Sequence, residues 1–341
     1  MTNTAVSPEI TDHRVAILLS THNGIKYLGE LLDSIAHQQY THWDLWVRDD
    51  GSEDDTISVL HDFREKMART HPNNRVYLNA GENIGVVYSF FSLFSDANGP
   101  YIAYAFCDQD DIWLPEKLQR AVDHLKVYRK QATGRYRPWL YHSRQLLIDG
   151  SGKVYGNSPL PYRTGFYNAV IQNQVVGCTM MVNEELRNLF LSGYKSPLSQ
   201  KKEEQTFPGH TAEPIIMHDW WCYLLVSAFG DIVYDSEPSI KFRRHETSAT
   251  PVTTTRFRAW MDRATAMNKR TWSISHILDQ AEAFYLRYVP EDQTLSDSLL
   301  SLIALKKSGY VKRLRYVIRA KHHRSTRLET LMFRILVFMG R

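Results

Sequence analysis

The stretch Ala103-Tyr104-Ala105-Phe106-Cys107-Asp108-Gln109-Asp110-Asp111-Ile112-Trp113 is an apolar run of strand length that ends abruptly in three carboxylates. Crowding Asp108, Asp110 and Asp111 raises the free energy of an empty site through like-charge repulsion, and a hard divalent cation relieves that repulsion. The stretch therefore predicts a site for a metal ion and phosphate groups beyond the end of a strand. The alternative is a solvated acidic turn.

Three further strand-like runs, at 15–20, 45–47 and 76–79, each lead into a polar loop. Apolar residues at helical spacing follow the first two loops, so strands and helices alternate along the chain. This alternation predicts an α/β fold with a mainly parallel sheet covered by helices on both faces. Because loops that follow parallel strands share one edge, the polar motifs should meet in one crevice.

The crevice suits a nucleoside diphosphate, although the chain has neither GxGxxG nor GxxxxGK[ST]. The phosphates must then be held mainly by a metal and by cationic side chains. A carboxylate such as Asp49 can accept a hydrogen bond from a pyrimidine N–H or a ribose hydroxyl.

The composition is that of a globular chain: 341 residues, 43% hydrophobic, 23% charged, net charge +4. This length accommodates one large domain and an appendage. The three cysteines lie far apart without a CxxC pair, which disfavours zinc and disulfides and fits a reducing compartment. No signal-peptide pattern and no apolar run of about 18 residues occurs. We expect a cytoplasmic location.

Four motifs occur in a specific order, namely 20–24 (STHNG), 47–52 (VRDDGS), 82–86 (ENIGV) and 107–113 (CDQDDIW). Together they resemble the inverting glycosyltransferases of family 2 with the GT-A fold, most closely the bacterial rhamnosyltransferase-like enzymes of surface-polysaccharide assembly. The resemblance covers roughly residues 14 to 250. It implies a Rossmann-like, mainly parallel sheet flanked by helices. Helical spacing of apolar residues beyond residue 250 predicts a C-terminal helical appendage.

The resemblance also implies a nucleoside pocket. Its expected lining is Thr21, Asn23, Asp49, Asp50, Asn83 and Gly85. By the same resemblance Asp108 lies near the ribose and is a second metal ligand, Asp110 coordinates Mg²⁺ or Mn²⁺, and Asp111 stands behind them. Ser89 departs from the Asn that related sequences often carry, which leaves its contact open.

The second half of the chain is expected to supply the general base. Residues 175–183 predict an apolar strand near the sugar, or a plain core strand. Asp219 lies next to two Trp residues, which reduces its hydration and favours proton acceptance, and the Trp220 ring suits the C–H face of a sugar. The resemblance assigns Asp219 the same role. The alternative is that Asp219 caps a helix beginning at Trp220.

Three cationic or ionisable side chains, Arg243, Arg244 and His245, match the end of the family's catalytic domain. Cations there would stabilise the negative charge of a departing nucleoside diphosphate, and His245 could also ligate the metal. A solvated basic turn is the alternative.

The C-terminal region from 251 to 341 is expected to be helical, after a flexible tail at 1–12 and a catalytic domain at 13–250. From residue 306 onward, Glu329 is the only acidic residue among many Lys and Arg. Basic amphipathic helices bind anionic membranes, so the region could attach to the inner face of the cytoplasmic membrane or pack on the catalytic domain. The upstream motifs argue against nucleic acid.

The expected function is metal-dependent inverting transfer of a sugar, with rhamnose as the family-level guess. The donor would be a dTDP- or UDP-linked sugar, the acceptor a hydroxyl of a glycan or lipid-linked glycan, and the cofactor Mg²⁺ or Mn²⁺. The alternative is a sugar-nucleotide-binding or nucleotidyltransferase-type protein without glycosyl transfer.

Overall fold

A mixed sheet forms the centre of the protein. The computed structural model describes residues 14–132, 136–193, 214–244, 274–288 and 291–340. Within these residues nine strands form one sheet. Its first half is parallel, in the order β3-β2-β1-β4. These strands are β1 (Arg14–Thr21), β2 (Trp43–Asp50), β3 (Val76–Gly81) and β4 (Tyr101–Cys107).

Helices connect the parallel strands and cover both faces of the sheet. They are α1 (Ile25–Ala36), α2 (Thr56–Thr70) and α3 (Val86–Asp96). Successive residues of β1 point to opposite faces. Ile17 therefore packs in the cluster that contains α1 and α2 residues, whereas Leu18 packs in the cluster that contains α3 residues. The predicted strand–loop–helix units are confirmed.

The second half of the sheet inserts antiparallel strands. Its elements are β5 (Ile112–Trp113), α4 (Lys117–Gln131), β6 (Trp139–Ile148), β7 (Val154–Asn157), α5 (Phe166–Ala169), β8 (Met181–Asn183), α6 (Glu184–Gly193), α7 (His218–Phe229) and β9 (Asp231–Arg243). The order continues β4-β8-β6-β9-β5, with β8 antiparallel to both neighbours and β6 parallel to β9. Because β4, β6 and β9 thus run the same way, the loops after them open on one edge of the sheet.

The strand predicted at 175–183 is shorter than expected. A 3-10 turn occupies Gly177–Thr179, and only Met181–Asn183 pairs in the sheet. The Thr179 hydroxyl donates to the Val176 carbonyl at 2.8 Å, which closes the turn. A Cβ at Gly177 would lie 2.6 Å from Nε2 of His218, so this position admits only glycine without a shift of its neighbour.

The helical appendage is also confirmed. It comprises α8 (Ile274–Arg287), α9 (Gln293–Ile303), α10 (Tyr310–Arg319) and α11 (Arg327–Met339). Phe284, Leu299, Tyr316 and Phe333 are buried in the same cluster as α7, so the appendage packs on the sheet domain. None of the described helices is long and apolar enough to cross a bilayer. The predicted tail at 1–12 and the predicted boundary at 250 lie outside the described residues.

Candidate active site

The loops after β1 and β2 are joined through Asp49. Thr21 donates to Oδ2 of Asp49 at 2.8 Å, and the Ser52 amide and hydroxyl donate to Oδ1 and Oδ2 at 2.8 and 2.6 Å. Asp49 has no exposed surface. In this structure its carboxylate fixes the pocket loops, so contact with a nucleobase needs these hydrogen bonds to rearrange. The predicted nucleoside contacts of Thr21 and Asp49 stay predictions.

Asp50 fixes the loop after β3. Its carboxylate is ion-paired with Arg48 and accepts the amide protons of Ile84 and Gly85 at 2.8 and 2.9 Å. Gly85 has a φ of +84°, a conformation that favours glycine. Since Asp50 is buried with these partners, the structure gives it a scaffolding position behind the pocket. Its contact with the nucleoside stays a prediction.

The loops after β1 and β3 carry exposed polar side chains. The Asn83 side-chain amide lies 3.4 Å from the ring nitrogens of His22, and Asn23 Oδ1 accepts the Glu53 amide at 2.8 Å. Gln109 holds the acidic loop to this region, because its side chain bonds the His22 N–H and C=O at 2.8 and 2.9 Å. The roles of His22 and Gln109 were not predicted from the sequence.

Ser89 is fully buried, and its hydroxyl lies 2.6 Å from that of Ser20. The open question about Ser89 is thereby answered in structural terms: the side chain joins the loop network beneath the pocket.

Asp108, Asp111 and Cys178 each place one potential ligand atom within 4.8 Å of the others. Asp111 is fully buried. Its Oδ1 accepts the Arg243 amide at 3.0 Å, and its Oδ2 has no hydrogen-bond partner among the residues that the structure describes. Burial, followed by the charge of Asp110, raises the pKa of both Asp108 and Asp111. An orphaned buried carboxylate oxygen beside a second carboxylate suits a hard divalent cation, whereas the buried Cys178 thiol is a poor ligand for Mg²⁺.

Of the predicted metal ligands Asp108, Asp110 and His245, this cluster contains Asp108. The structure groups Asp111 with Asp108, although Asp111 was expected to stand behind the ligands. Asp110 is partly exposed next to them, and its backbone carbonyl accepts from Nε of Arg243 at 3.0 Å. His245, the other predicted ligand, lies outside the described residues. Asp110 and His245 as ligands stay predictions.

A buried lysine next to the acidic cluster was not predicted. Nζ of Lys117 donates to the Cys178 carbonyl at 2.8 Å and lies 4.6 Å from the centre of the Trp113 ring. Burial lowers the pKa of Lys117 to about 8. The signal in the sequence was a lysine six residues beyond the last aspartate of the acidic motif, and the structure places it at the start of α4.

Asp219 lies in the first turn of α7, in contact with the turn that carries Cys178. Its Oδ2 accepts the Gly177 amide at 3.1 Å and its Oδ1 accepts the Trp220 amide at 2.6 Å. Asp219 is 7% exposed, and burial raises its pKa to about 6. The helix begins at His218 with Met217 in the N-cap position, so Asp219 is not the N-cap residue, although its carboxylate does accept the first-turn amide of Trp220.

The position of Trp220 differs from the prediction. Its ring is 4% exposed and its Nε1 donates to the Ala169 carbonyl at 2.6 Å. Every residue of α7 from His218 to Val226 is buried, because this helix is surrounded by protein. Trp220 is therefore packed in the core in this structure, and its ring face is not presented to a sugar.

The two predicted arginines have different surroundings. The Arg243 side chain is 1% exposed, donates to Glu30 at 2.9 Å and lies 4.4 Å from the centre of the Tyr27 ring. Its guanidinium is thus engaged inside the protein, where it supports the acidic loop. Nε of Arg244 is buried and has no hydrogen-bond partner among the described residues. Of the two side chains, Arg244 is the better placed to gain an anionic partner.

The chain is similar in sequence to known glycosyltransferases. Residues 16–149 match the family model described as Glycosyl transferase family 2. The dTDP-rhamnosyl transferase RfbG of Shigella flexneri is 27% identical over 236 residues, which is 67% of this chain and 72% of that protein. A second relative is the UDP-Glc:alpha-D-GlcNAc-diphosphoundecaprenol beta-1,3-glucosyltransferase WfgD of Escherichia coli, which is 25% identical over 181 residues. This match covers 52% of this chain and 64% of that protein, just under two thirds of its length. Crystallised residues 1–349 of S. aureus TarS with UDP-GlcNAc give a TM-score of 0.49 at 15% identity, over 96% of this chain and 88% of that one.

Proposed function

Because the chain belongs to glycosyl transferase family 2, we propose that this glycosyltransferase is metal-dependent and inverting, and that Asp219 is its general base. One observation carries the proposal. Consecutive residues of one turn contact both halves of the site: Gly177 donates to the Asp219 carboxylate, and Cys178 lies within 4.8 Å of Asp108 and Asp111. Displacement at the anomeric carbon of a nucleotide sugar needs a general base near the acceptor and an acidic, metal-binding cluster near the diphosphate, and this turn holds both close together.

The proposed chemical step is a single displacement. Asp219 takes the proton of the acceptor hydroxyl while that oxygen attacks the anomeric carbon and the bond to the diphosphate breaks. Attack from the face opposite the leaving group inverts the configuration at that carbon. The pKa of about 6 leaves Asp219 largely ionised at neutral pH and still basic enough to accept a proton.

The departing diphosphate needs positive charge. We assign the Arg244 guanidinium to it, because Nε of Arg244 is unpartnered among the described residues. Asp108, Asp110 and Asp111 are the proposed holders of Mg²⁺ or Mn²⁺, which when bound would neutralise negative charge on the diphosphate. A general base contributes about 10²–10⁴-fold, so leaving-group electrostatics and positioning must supply the rest of the acceleration.

The proposed donor is a dTDP- or UDP-linked hexose, with rhamnose as the first candidate. The name of RfbG, a dTDP-rhamnosyl transferase, supports this choice. Thr21, Asn23 and Asn83 would contact the nucleoside at the mouth of the crevice, with Asp49 and Asp50 behind them.

The proposed acceptor is a hydroxyl of a glycan carried on a lipid. WfgD is named for an acceptor linked to diphosphoundecaprenol, which supports a lipid-linked acceptor here. The proposed place of work is the inner face of the cytoplasmic membrane. The proposed organisation remains a catalytic domain at 13–250 and a helical region at 251–341.

A two-stage experiment tests the proposed function. Thermal shifts are first recorded with UDP-, dTDP- and GDP-sugars in the presence of Mn²⁺, and the best ligand is then assayed for release of its nucleoside diphosphate. Wild type should be stabilised by one nucleotide class and should slowly hydrolyse its sugar, while Asp219→Asn should bind and not hydrolyse. Binding without turnover by either protein would favour a sugar-nucleotide-binding protein.

A further inference from the structure

Helix α11 is apolar on two opposite faces. One face contributes Phe333 and Val337 to the core. The opposite face leaves Leu328, Leu331 and Ile335 between 48 and 55% exposed. These exposed residues recur at helical spacing, so they form a stripe rather than scattered surface residues. A helix that only packs on its own domain needs one apolar face, and a second, exposed apolar stripe indicates an interaction surface.

Helix α10 continues this stripe. Tyr310, Val311, Leu314 and Ile318 are 69, 75, 48 and 70% exposed and fall on one side of the helix, while Tyr316 on another side is buried. The ring centres of Tyr310 and Phe338 lie 6.1 Å apart, so the stripes of the two helices meet. We call this surface the α10–α11 face; its members are Tyr310, Val311, Leu314, Ile318, Leu328, Leu331, Ile335 and Phe338.

Cations lie on α10 and α11 and in the chain segments next to these helices. Those on exposed positions are Lys307, Lys312, Arg315, Arg319, Lys321 and Arg327. None of them forms an ion pair within the part of the chain that the structure describes. Lys306 is different, because it is ion-paired with Asp279 and Glu282 and therefore belongs to the packing of the appendage.

We propose that the α10–α11 face docks on an anionic lipid bilayer, with its apolar side chains between the headgroups and its cations against the lipid phosphates. The combination of an apolar stripe with an almost purely cationic border is the one such a surface recognises. A second copy of the chain fits less well, since a two-fold contact through this face would bring like charges together. A nucleic acid would leave the apolar stripe without a partner.

The face is connected to the candidate active site. Residues between α10 and α11 bind the segment before the Gly177 turn: the Ser325 amide donates to Gln172 at 2.6 Å, and Asn168 donates to the His323 carbonyl at 3.1 Å. The Tyr223 hydroxyl of α7 donates to the same Asn168 at 3.1 Å, on the helix that carries Asp219. Docking would therefore hold the acceptor side of the site at the bilayer, a consequence that rests on the proposed function.

Sedimentation of the full chain with sucrose-loaded vesicles tests the docking. Vesicles of phosphatidylcholine alone are compared with vesicles that contain about 30% phosphatidylglycerol, from about 0.1 M to about 1 M NaCl. We expect binding only to the anionic vesicles and a steep loss with salt. Each of Lys312→Gln and Arg315→Gln should lower the partition coefficient about fivefold. The double variant Leu314→Ser/Leu331→Ser should lower it by more than about tenfold.

Matched controls use residues outside the face. Leu286→Ser removes a leucine of α8 that is 74% exposed, and Lys130→Gln removes an exposed lysine at the end of α4. Both should bind as wild type does, and all variants should keep the wild-type melting temperature, since the altered side chains face solvent.

Two results would overturn the docking proposal. One is vesicle binding that is indifferent to lipid charge or to the Leu314/Leu331 exchange. The other is a dimer in analytical ultracentrifugation that the same exchange dissolves, which would identify a second copy as the occupant. Nucleotide-sugar thermal shifts on the same samples separate the two proposals, because loss of those shifts would count against the enzymatic function and leave vesicle binding unaffected.

Discussion

Replacing Asp219 by Asn should change the stability of the protein with pH in a definite direction. Burial raises the pKa of Asp219 from 3.8 to about 6, so ionising this group costs more in the folded than in the unfolded chain. A shift of about two pH units corresponds to about 3 kcal/mol. Protonated Asp219 therefore contributes to the free energy of unfolding. This contribution is fully present below about pH 4 and is lost as the pH rises through about 6.

The Asp219→Asn variant carries a neutral amide that does not ionise, so it should escape this loss. The assay is chemical denaturation of both proteins between about pH 4 and about pH 8. The free energy of unfolding of wild type minus that of Asp219→Asn should fall by about 3 kcal/mol across this range. Asp123→Asn, which alters an exposed carboxylate of α4, controls for the exchange itself. A difference that stays flat would refute the inference that burial raises the pKa of Asp219.

Three further predictions concern the rest of the site. Asp110→Asn should keep the fold and weaken Mn²⁺-dependent nucleotide binding at least about tenfold in calorimetry, because an amide lacks the carboxylate's charge; unchanged binding would remove Asp110 from the metal site. Gly177→Ala places a Cβ 2.6 Å from His218 Nε2 and should lower kcat while donor affinity stays near wild type; equal loss of both would point to general damage. Arg244→Gln should weaken binding of the nucleoside diphosphate product about tenfold or more at unchanged melting temperature, and wild-type affinity would exclude Arg244 from that contact.

The sheet and its polar edge were predictable because apolar strands ending in polar loops leave a strong local pattern. The orientation of neighbouring side chains was not predictable in the same way. Arg243 and Arg244 are adjacent near the end of β9, and successive residues of a strand point in opposite directions. Which of them turns inward depends on the pairing of β9 with β6, in which Arg243 lies opposite Ile148. That pairing joins segments far apart in sequence.

The surroundings of the acidic motif and of Trp220 were also not predictable from the neighbouring sequence. The sequence places Asp110 and Asp111 side by side, whereas in the structure Asp111 is the buried one and accepts the Arg243 amide, a contact between residues far apart in sequence. Trp220 was assigned to a sugar because it neighbours Asp219. The burial of α7 arises from contacts with α3, α5, α6 and the sheet, and from Phe284 and Tyr288 against Trp221, none of which a motif in its own segment reveals.

The most direct measurement of the central claim is an NMR time course of the donor that the thermal-shift screen identifies, with Mn²⁺ present. The wild-type protein should release the sugar with an anomeric configuration opposite to that in the donor before mutarotation, together with one nucleoside diphosphate per sugar. Asp219→Asn should bind the donor with near wild-type affinity and release the sugar at least about 100-fold more slowly. Release with retained configuration, or undiminished release by folded Asp219→Asn, would contradict the account.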